Sequence, residues 1–308
     1  MNGSLDIPPA SPPSRRRLGL VAGLLLLFAL GAPSGGQVRK VSNPIANRDI
    51  FIVAHQDDWQ LFMGDVASRI LKAGLPARFV YLTAGDDGRD SLYWQTREHA
   101  ALRSTAVAAG RINPELDEIQ CSTVMVMEHA VRKCSLGDTE SYFLRLPDGK
   151  RNGTGFARYS HQSMRSLRGK KIEAITTVDG AATYQGWPDL VATVEELVDA
   201  GGAGVVVHTT DPSIAANPHD HFDHRMAGLL VEDLRRRHPI GARYYAGYAL
   251  ATRAANRSNS EAREKTAIFL AYDAEMMRAN KNWGAYREHP AFYAQCMART
   301  YARSPRDR

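Results

Sequence analysis

The stretch Phe51-Ile-Val-Ala-His-Gln-Asp-Asp-Trp59 decides the fold of this chain. Its first four residues are apolar, and such a run predicts a strand that is buried on both faces of a parallel sheet. His55, Asp57 and Asp58 follow directly, and an amphipathic helix comes after them. In open α/β sheets, ligands bind at the carboxyl ends of the strands. We therefore expect these three side chains to lie at a ligand-binding edge.

This polar turn has two interpretations. Imidazole and carboxylate groups are zinc ligands, and a second carboxylate beside a metal can act as a base. In the alternative, the turn is only structural and Asp57 caps the helix that follows. Residues farther along the chain decide between the two.

A second polar stretch runs from His208 to His224 and contains four of the ten histidines. It begins at the end of another apolar strand and leads into a helix with apolar residues at helical spacing. Histidine is not a good turn former, so a solvated loop has little need of four. Together the two stretches supply the two histidines and the carboxylate of a catalytic zinc site, with a base to spare. A structural zinc would need a fourth protein ligand, for which His219 or His208 is available.

Strands and helices alternate along the body of the chain. The segment 147–171 is rich in Gly, Arg and Ser and is predicted to be a long surface loop. The alternation predicts an α/β fold, with a Rossmann-like, mainly parallel sheet flanked by helices and with hairpin and loop insertions. Strands are predicted at 50–54, 77–82, 141–146, up to 208, and 243–250, and helices at 58–73, 93–109, 190–200, around 226–234, 261–280 and 289–301.

The first 36 residues have the features of an export signal. Three arginines follow Ser14, the apolar run Leu18–Leu30 has the length of a signal peptide, and small residues near Ala32 offer cleavage sites. The arginine pair resembles a twin-arginine signal, and an uncleaved membrane anchor is the alternative. Residues 42–303 are expected to form one domain, and 304–308 a disordered tail. The body is therefore expected to be exported, and either secreted or held at the membrane by its leader.

The charge of the chain argues against a nucleic-acid partner. The formal net charge of +6 falls to +4 without residues 1–34, because these contain three arginines and one aspartate. The remaining excess is small, and the body has no long basic tract. The sequence does not indicate an oligomeric state.

Two of the three cysteines can form a disulfide in an oxidising compartment. The residues between Cys121 and Cys134 predict a hairpin centred near Met127 and Glu128, which would place the two cysteines opposite each other. Cys296 would then be unpaired. Three free thiols that pack as small apolar side chains are the alternative.

The two polar stretches resemble the two motifs of a known family. His55-Gln-Asp-Asp58, followed by Phe62-Met-Gly64, is similar to Ala-His-Pro-Asp-Asp-Glu, the first motif of the PIG-L, or LmbE-like, zinc deacetylases. His221-Phe-Asp-His224 resembles their second motif, His-Pro-Asp-His. The resemblance extends from about residue 48 to residue 250.

The resemblance implies removal of an N-acyl group from a glucosamine-type sugar carried by a small-molecule conjugate. It implies a zinc ion, or another divalent metal, as the cofactor. The implied metal ligands are His55, Asp58 and His224. The other implied catalytic residues are Asp57 as general base, His221 as electrophilic partner or acid, and Asp223 as a support behind the ligands.

The sequence departs from the family motifs at Gln56, Trp59 and Phe222, which replace Pro, Glu and Pro. None of the three is an implied ligand or base, so the implied metal site is retained. Trp59 and Phe222, together with Arg89 in the loop after the second strand, are candidate substrate-binding residues, with packing as the alternative. An apolar pocket would suit a hydrophobic aglycone or a long acyl chain. These features and the export signal fit the family branch that deacylates sugars on secreted metabolites such as teicoplanin-type glycopeptide antibiotics.

Two other classes of function remain as alternatives. An exported carbohydrate-binding or metal-scaffold protein without turnover would stack sugars on aromatic residues and would need no base at Asp57. The candidate stacking residues are Tyr93, Trp94, Tyr184 and Trp187. A zinc peptidase would need a His-Glu-x-x-His helix, which the sequence lacks.

Overall fold

The computed structural model describes residues 48–111, 118–199, 204–279 and 284–305, all within one compact unit. The strands are β1 (Asp49–Val53), β2 (Ala77–Thr83), β3 (Gln120–Val126), β4 (His129–Leu136), β5 (Thr139–Leu146), β6 (Ile175–Thr176), β7 (Thr183–Tyr184), β8 (Val206–Thr210), β9 (Gly241–Tyr245) and β10 (Ala302–Arg303). The helices are α1 (Asp58–Lys72), α2 (Ser91–Ala108), α3 (Met164–Arg168), α4 (Trp187–Val198), α5 (Phe222–Arg237), α6 (Asn259–Ala279), α7 (Ala285–Glu288) and α8 (Pro290–Met297).

Eight of these strands form one sheet in the order β10-β9-β8-β1-β2-β5-β4-β3, while β6 and β7 form a separate hairpin. The five strands from β9 to β5 are parallel, and β10, β4 and β3 pair antiparallel at the two edges. The predicted α/β fold, with a mainly parallel sheet and a hairpin insertion, is confirmed. The first strand, β1, lies in the middle of the sheet between β2 and β8.

Both faces of β1 are buried, as the apolar run predicts. Ile50 and Ile52 pack on one side with side chains of α3, α4 and α5. Phe51 and Val53 pack on the other side with side chains of α1, α2, α6 and α8. The sheet is therefore covered by helices on both faces, and the carboxyl ends of its parallel strands remain as the place for a site.

The predicted hairpin and disulfide are both present. Strands β3 and β4 pair in continuous register, with Cys121 opposite Cys134, and the turn contains Met127 with φ of 52°. The two sulfur atoms are bonded, and Cys296 is a free, buried thiol.

The segment 147–171 is not the simple surface loop that its composition predicts. It contains the 3-10 helix Ala157–Tyr159 and the helix α3, and Met164 and Leu167 are buried in the core. Its beginning is buried as well, because the Gly149 amide donates a hydrogen bond to Asp223. The composition does not predict this burial, because the few apolar and acidic side chains that face inward are scattered among Gly and Arg residues.

The C-terminal elements are shorter than predicted. Strand β9 ends at Tyr245, where the chain turns through Gly247 into a 3-10 helix, Tyr248–Thr252. A Cβ atom at Gly247 would lie 2.1 Å from Asp220 Oδ2, so the backbone of Gly247 passes directly against that carboxylate. The expected helix over 289–301 ends at Met297, and the following residues pair with β9 as β10.

The predicted leader falls outside the described residues and stays a prediction. Among the helices that are described, none is both long and apolar enough to span a membrane.

Candidate active site

The two polar stretches meet at the carboxyl ends of β1 and β8. These strands are parallel neighbours, so the residues that follow them emerge at the same edge of the sheet. His55 lies two residues beyond β1, and Asp58 is the first residue of α1. His221 is the N-cap of α5, and His224 lies in the first turn of that helix. The fold thus brings together residues that are 169 positions apart in the chain.

His55, Asp58 and His224, here called the metal triad, lie in mutual contact and are buried. His224 Nε2 lies 3.0 Å from Asp58 Oδ1 and 3.2 Å from His55 Nδ1, and His55 Nδ1 lies 3.5 Å from Asp58 Oδ1. Ligands about 2.0–2.1 Å from a tetrahedral zinc ion are separated by about 3.4 Å, so the three atoms have nearly the spacing that an ion requires. Asp58 Oδ1 is also buried without a hydrogen bond of good geometry. The triad therefore fits a divalent metal.

The electrostatics of the metal triad favour a positive charge. Burial opposes the charged form of His55, but the carboxylates of Asp58 and Asp223 raise its pKa to about 10. Burial raises the pKa of Asp58, and the two imidazoles overcome this effect and hold it well below its ordinary value. A histidine must be neutral to bind a metal ion, so an ion and protons compete for His55 and His224.

Asp57 is the chain neighbour of Asp58, a member of the metal triad. Its carboxylate forms an ion pair with Nη2 of the buried Arg97, which also donates to the Gly85 carbonyl at 3.0 Å. Asp57 occupies the N-cap position of α1, but its side chain makes no capping hydrogen bond. The capping interpretation is therefore wrong, and the carboxylate is turned toward Arg97. A Cβ atom at Gly85 would lie 2.9 Å from this guanidinium, so a side chain at Gly85 would displace Arg97.

His221 lies edge-on to His55, with ring centroids 4.6 Å apart. Its Nδ1 accepts a hydrogen bond from the Asp223 amide at 3.2 Å. A neutral imidazole with Nδ1 as acceptor carries its proton on Nε2, so His221 presents an N–H donor. Burial and the neighbouring charge on His55 lower the pKa of His221 to about 4, which keeps the ring neutral. Asp223 is fully buried, and its Oδ2 accepts from the Gly149 amide at 2.7 Å.

The three candidate substrate-binding residues have different surroundings. Trp59 is fully buried, donates from Nε1 to the Tyr81 hydroxyl at 2.9 Å and packs on Phe79, so its assignment to the substrate pocket is wrong. Its large apolar ring packs in the core on that side of the sheet. Phe222 is half-buried and lines a small cavity of about 190 Å³ with His221. Arg89 has an exposed side chain 4.4 Å from the Tyr93 ring. Phe222 and Arg89 stay predictions.

Neither His208 nor His219 is a fourth protein ligand of the metal triad. His208 stacks on Phe51, and both ring nitrogens are engaged, by the Tyr245 hydroxyl and by Asp49, each at 2.8 Å. His219 is exposed. A site with three protein ligands keeps a coordination position open, which is the arrangement of catalytic zinc.

Three of the four residues proposed to stack on sugars are buried in the structure. Tyr184, Trp94 and Tyr93 are buried, with 0%, 2% and 7% of their surface exposed. Only the half-buried Trp187 remains of the four, and its Nε1 donates to Asp233.

Two acidic residues of the site were missed by sequence reasoning. Asp220 Oδ1 lies 3.0 Å from His224 Nδ1 and fixes the orientation of that ring. Its place four residues before a histidine at the start of a helix was an available signal. Asp148 Oδ2 lies 3.7 Å from His55 Nε2, and nothing in the sequence of the segment 147–171 marks it as part of the site.

Comparison with known proteins identifies the family of this chain. Residues 50–234 match the family described as PIG-L: GlcNAc-PI de-N-acetylase. No curated protein sequence matches. Similar solved structures include a triple mutant of a deacetylase of the teicoplanin biosynthetic pathway, with 11% identity, a TM-score of 0.45, and coverage of 81% of this chain and 89% of that one. They include the N,N'-diacetylchitobiose deacetylase of Pyrococcus horikoshii, with 14% identity, a TM-score of 0.43, and coverage of 86% and 85%.

The 4-carboxy-2-hydroxymuconate hydratase of Pseudomonas putida KT2440 is also similar, with 11% identity, a TM-score of 0.40, and coverage of 80% of this chain and 82% of that one. The family match covers both polar stretches and the sheet between them. The chain belongs to the PIG-L family of GlcNAc-PI de-N-acetylase-like proteins.

Proposed function

We propose that this chain is a metal-dependent hydrolase that removes the N-acyl group from a glucosamine-type sugar on a glycoconjugate or a secreted metabolite, such as a glycopeptide antibiotic. The observation that carries the proposal is the metal triad together with a separate carboxylate, Asp57, which adjoins Asp58 in the chain and is held by Arg97. A protein that only bound a metal would need the triad alone. Membership of the PIG-L family supports the reaction class.

Zinc is the proposed metal, because the donor set of two imidazoles and one carboxylate is typical of catalytic zinc. Other divalent metals bind the same donors, and metal availability contributes to the choice. When bound, the ion supplies Lewis acidity that polarises the amide carbonyl and makes water more acidic. The metal triad would supply three ligands, which leaves one position of a tetrahedral ion for water or substrate.

Asp57 is the proposed general base, which takes a proton from the attacking water and passes it to the leaving amine. The ion pair with Arg97 keeps its carboxylate in one orientation at the edge of the site. His221 is the proposed donor to the oxyanion, because its Nε2 carries the proton and its ring is held by the Asp223 amide. The loss of one such donor typically raises the barrier by about 3–4 kcal/mol.

The test is a mass-spectrometric screen of N-acylglucosaminides with purified, metal-loaded protein. The proposal expects a product that has lost one acyl group, with the corresponding free acid in equal amount. If the protein binds metal but releases no acid from any N-acylglucosaminide offered, the proposed reaction is wrong.

We also propose that the chain is exported. The Cys121–Cys134 disulfide supports this proposal, because structural disulfides persist mainly in oxidising compartments. Sequencing of secreted material should find a first residue between Ala32 and Gln37. An intact segment Met1–Arg17 on that material would contradict the signal-peptide interpretation.

A further inference from the structure

His55 directs its two ring nitrogens at two different groups of side chains. Nδ1 faces Asp58 and His224 in the metal triad. Nε2 is buried and has no hydrogen-bond partner in the described part of the chain. It lies 3.7 Å from Asp148 Oδ2 and 3.7 Å from Asp223 Oδ2. A buried nitrogen without a partner carries a desolvation cost, so either a bound group or a small shift toward one of these carboxylates is expected to satisfy it.

His221 completes this second group. Its Nε2 lies 3.6 Å from Asp148 Oδ1, and its Nδ1 lies 3.8 Å from Asp223 Oδ2. These separations are too long for hydrogen bonds. They are close to the roughly 3.4 Å between neighbouring ligands of a tetrahedral ion with bonds of about 2.1 Å. One nitrogen or oxygen atom from each of the four residues lies within 4.8 Å of the others.

Both carboxylates of this group are held in place by the backbone. The Lys150 amide donates to Asp148 Oδ1 at 2.7 Å, and the Gly149 amide donates to Asp223 Oδ2 at 2.7 Å. The backbone of Gly149 can approach Asp223 because it has no side chain, since a Cβ atom there would lie 2.4 Å from Oδ1. Within the described ranges, no lysine or arginine forms an ion pair with Asp148 or Asp223. Among the described residues, the ion-pair partners of these two carboxylates are therefore the imidazoles of His55 and His221.

We propose that His55, Asp148, His221 and Asp223 form a second cation position, which a divalent metal ion fills after the metal triad and with lower affinity. The inference rests on the proposed metal site, because the two positions share His55. A neutral imidazole with an ion on Nδ1 carries its proton on Nε2. A second ion must displace that proton or bind without His55, and either case lowers its affinity. An ion at this position also engages the His221 nitrogen that otherwise donates to substrate.

The competing explanation needs no second ion. With metal on Nδ1, the Nε2–H group of His55 can donate to Asp148 or Asp223 after a small shift, and the carboxylates would then only orient the imidazole. The two explanations differ in the number of ions that the protein binds.

The experiment is equilibrium dialysis of the chelator-stripped full chain against increasing Zn²⁺, with elemental analysis of the protein. The wild type is expected to bind one equivalent tightly and a second more weakly. Asp148→Asn and His221→Ala, which alter residues on two separate segments of the chain, should each keep the tight equivalent and lose the weak one. His219→Ala removes an exposed imidazole two residues from His221 and should keep both. Thermal unfolding monitored by circular dichroism confirms that each variant is folded.

A wild type that stops at one equivalent would overturn the second cation position and leave the proposed function intact. If both variants are folded and still bind two equivalents, the second ion binds elsewhere, and the proposed cation position is wrong. If instead the wild type bound no zinc at all, the metal triad and the proposed function would fail together.

Discussion

Asp220 Oδ1 lies 3.0 Å from His224 Nδ1, opposite the nitrogen that faces the rest of the metal triad. The carboxylate thereby places the proton of the neutral imidazole on Nδ1 and leaves Nε2 free to bind an ion. Asp220→Ala should weaken zinc binding by about 10–100-fold, the usual effect of losing such a partner. Competition with a chromophoric chelator measures the change.

Two variants serve as controls for the Asp220 prediction. Asp220→Asn keeps an oxygen acceptor and should retain most of the affinity. Asp138→Ala removes an exposed carboxylate from the turn between β4 and β5 and should change nothing. Wild-type affinity in Asp220→Ala would show that His224 is oriented by other contacts.

Substitution within the metal triad is expected to cost more zinc than substitution of Asp220. His55→Ala, Asp58→Ala and His224→Ala should each lose the tightly bound zinc, because two remaining donors rarely hold the ion against water. Elemental analysis after dialysis measures the content, with His219→Ala as the matched control. Full loading in all three variants would mean that the ligand assignment is wrong.

A pH-dependent stability is expected from Lys265, which is fully buried and donates to the Cys296 and Arg299 carbonyls and to the Thr300 hydroxyl. Burial lowers the pKa of Lys265 to about 8. The unfolded chain, with an ordinary lysine pKa of about 10.4, binds more protons between these two values, so this residue makes stability rise with pH across that window.

The measurement for Lys265 is urea unfolding of the wild type and of Lys265→Met at several pH values. The wild-type free energy of unfolding, minus that of the variant, should increase by about 2 kcal/mol between pH 7 and pH 10. A difference that does not depend on pH would contradict the lowered pKa.

The Cys121–Cys134 disulfide should stabilise the body of the chain. It closes a loop of 13 positions, for which the chain-entropy estimate is about 3 kcal/mol. The double variant Cys121→Ser, Cys134→Ser should unfold at lower urea concentration, and reductant should shift the wild type but not the variant. Three reactive thiols in denatured, unreduced protein would show that the bond does not form.

The sequence was most informative where periodicity and local chemistry agree. The apolar run Phe51–Ala54 predicts a buried parallel strand, and the structure places it between two parallel neighbours. The predicted hairpin between the cysteines matches the observed antiparallel register. The resemblance to the family motifs implies His55, Asp58 and His224 as metal ligands, and the structure brings the three into contact.

Residues that depend on tertiary contacts were harder to predict. Asp148 is an isolated acid in a segment of Gly and Arg, and only the folded chain places it against His55. Trp59 follows directly after the site motif, but its position on α1 turns it toward Tyr81 and Phe79. Beyond the end of β9, the backbone of Gly247 passes against the Asp220 carboxylate, a contact that no local sequence pattern predicts.

Asp57 is the residue that distinguishes a hydrolase from a protein that only binds metal, because only the hydrolase needs a base. Asp57→Asn keeps the size of the side chain and leaves the metal triad unchanged, but it removes the proton acceptor. General acid–base help is typically worth about 10²–10⁴-fold in rate. An N-acylglucosaminide that the wild type hydrolyses is the substrate for this comparison.

The decisive measurement is the rate of acyl release from that substrate by wild type and Asp57→Asn, each with its zinc content determined. We predict equal zinc in both proteins and a rate that is lower by about 10²–10⁴-fold in the variant. An unchanged rate at equal zinc content would contradict the role of Asp57 as the base. Loss of zinc from Asp57→Asn would contradict the assignment of Asp57 as a residue outside the metal triad.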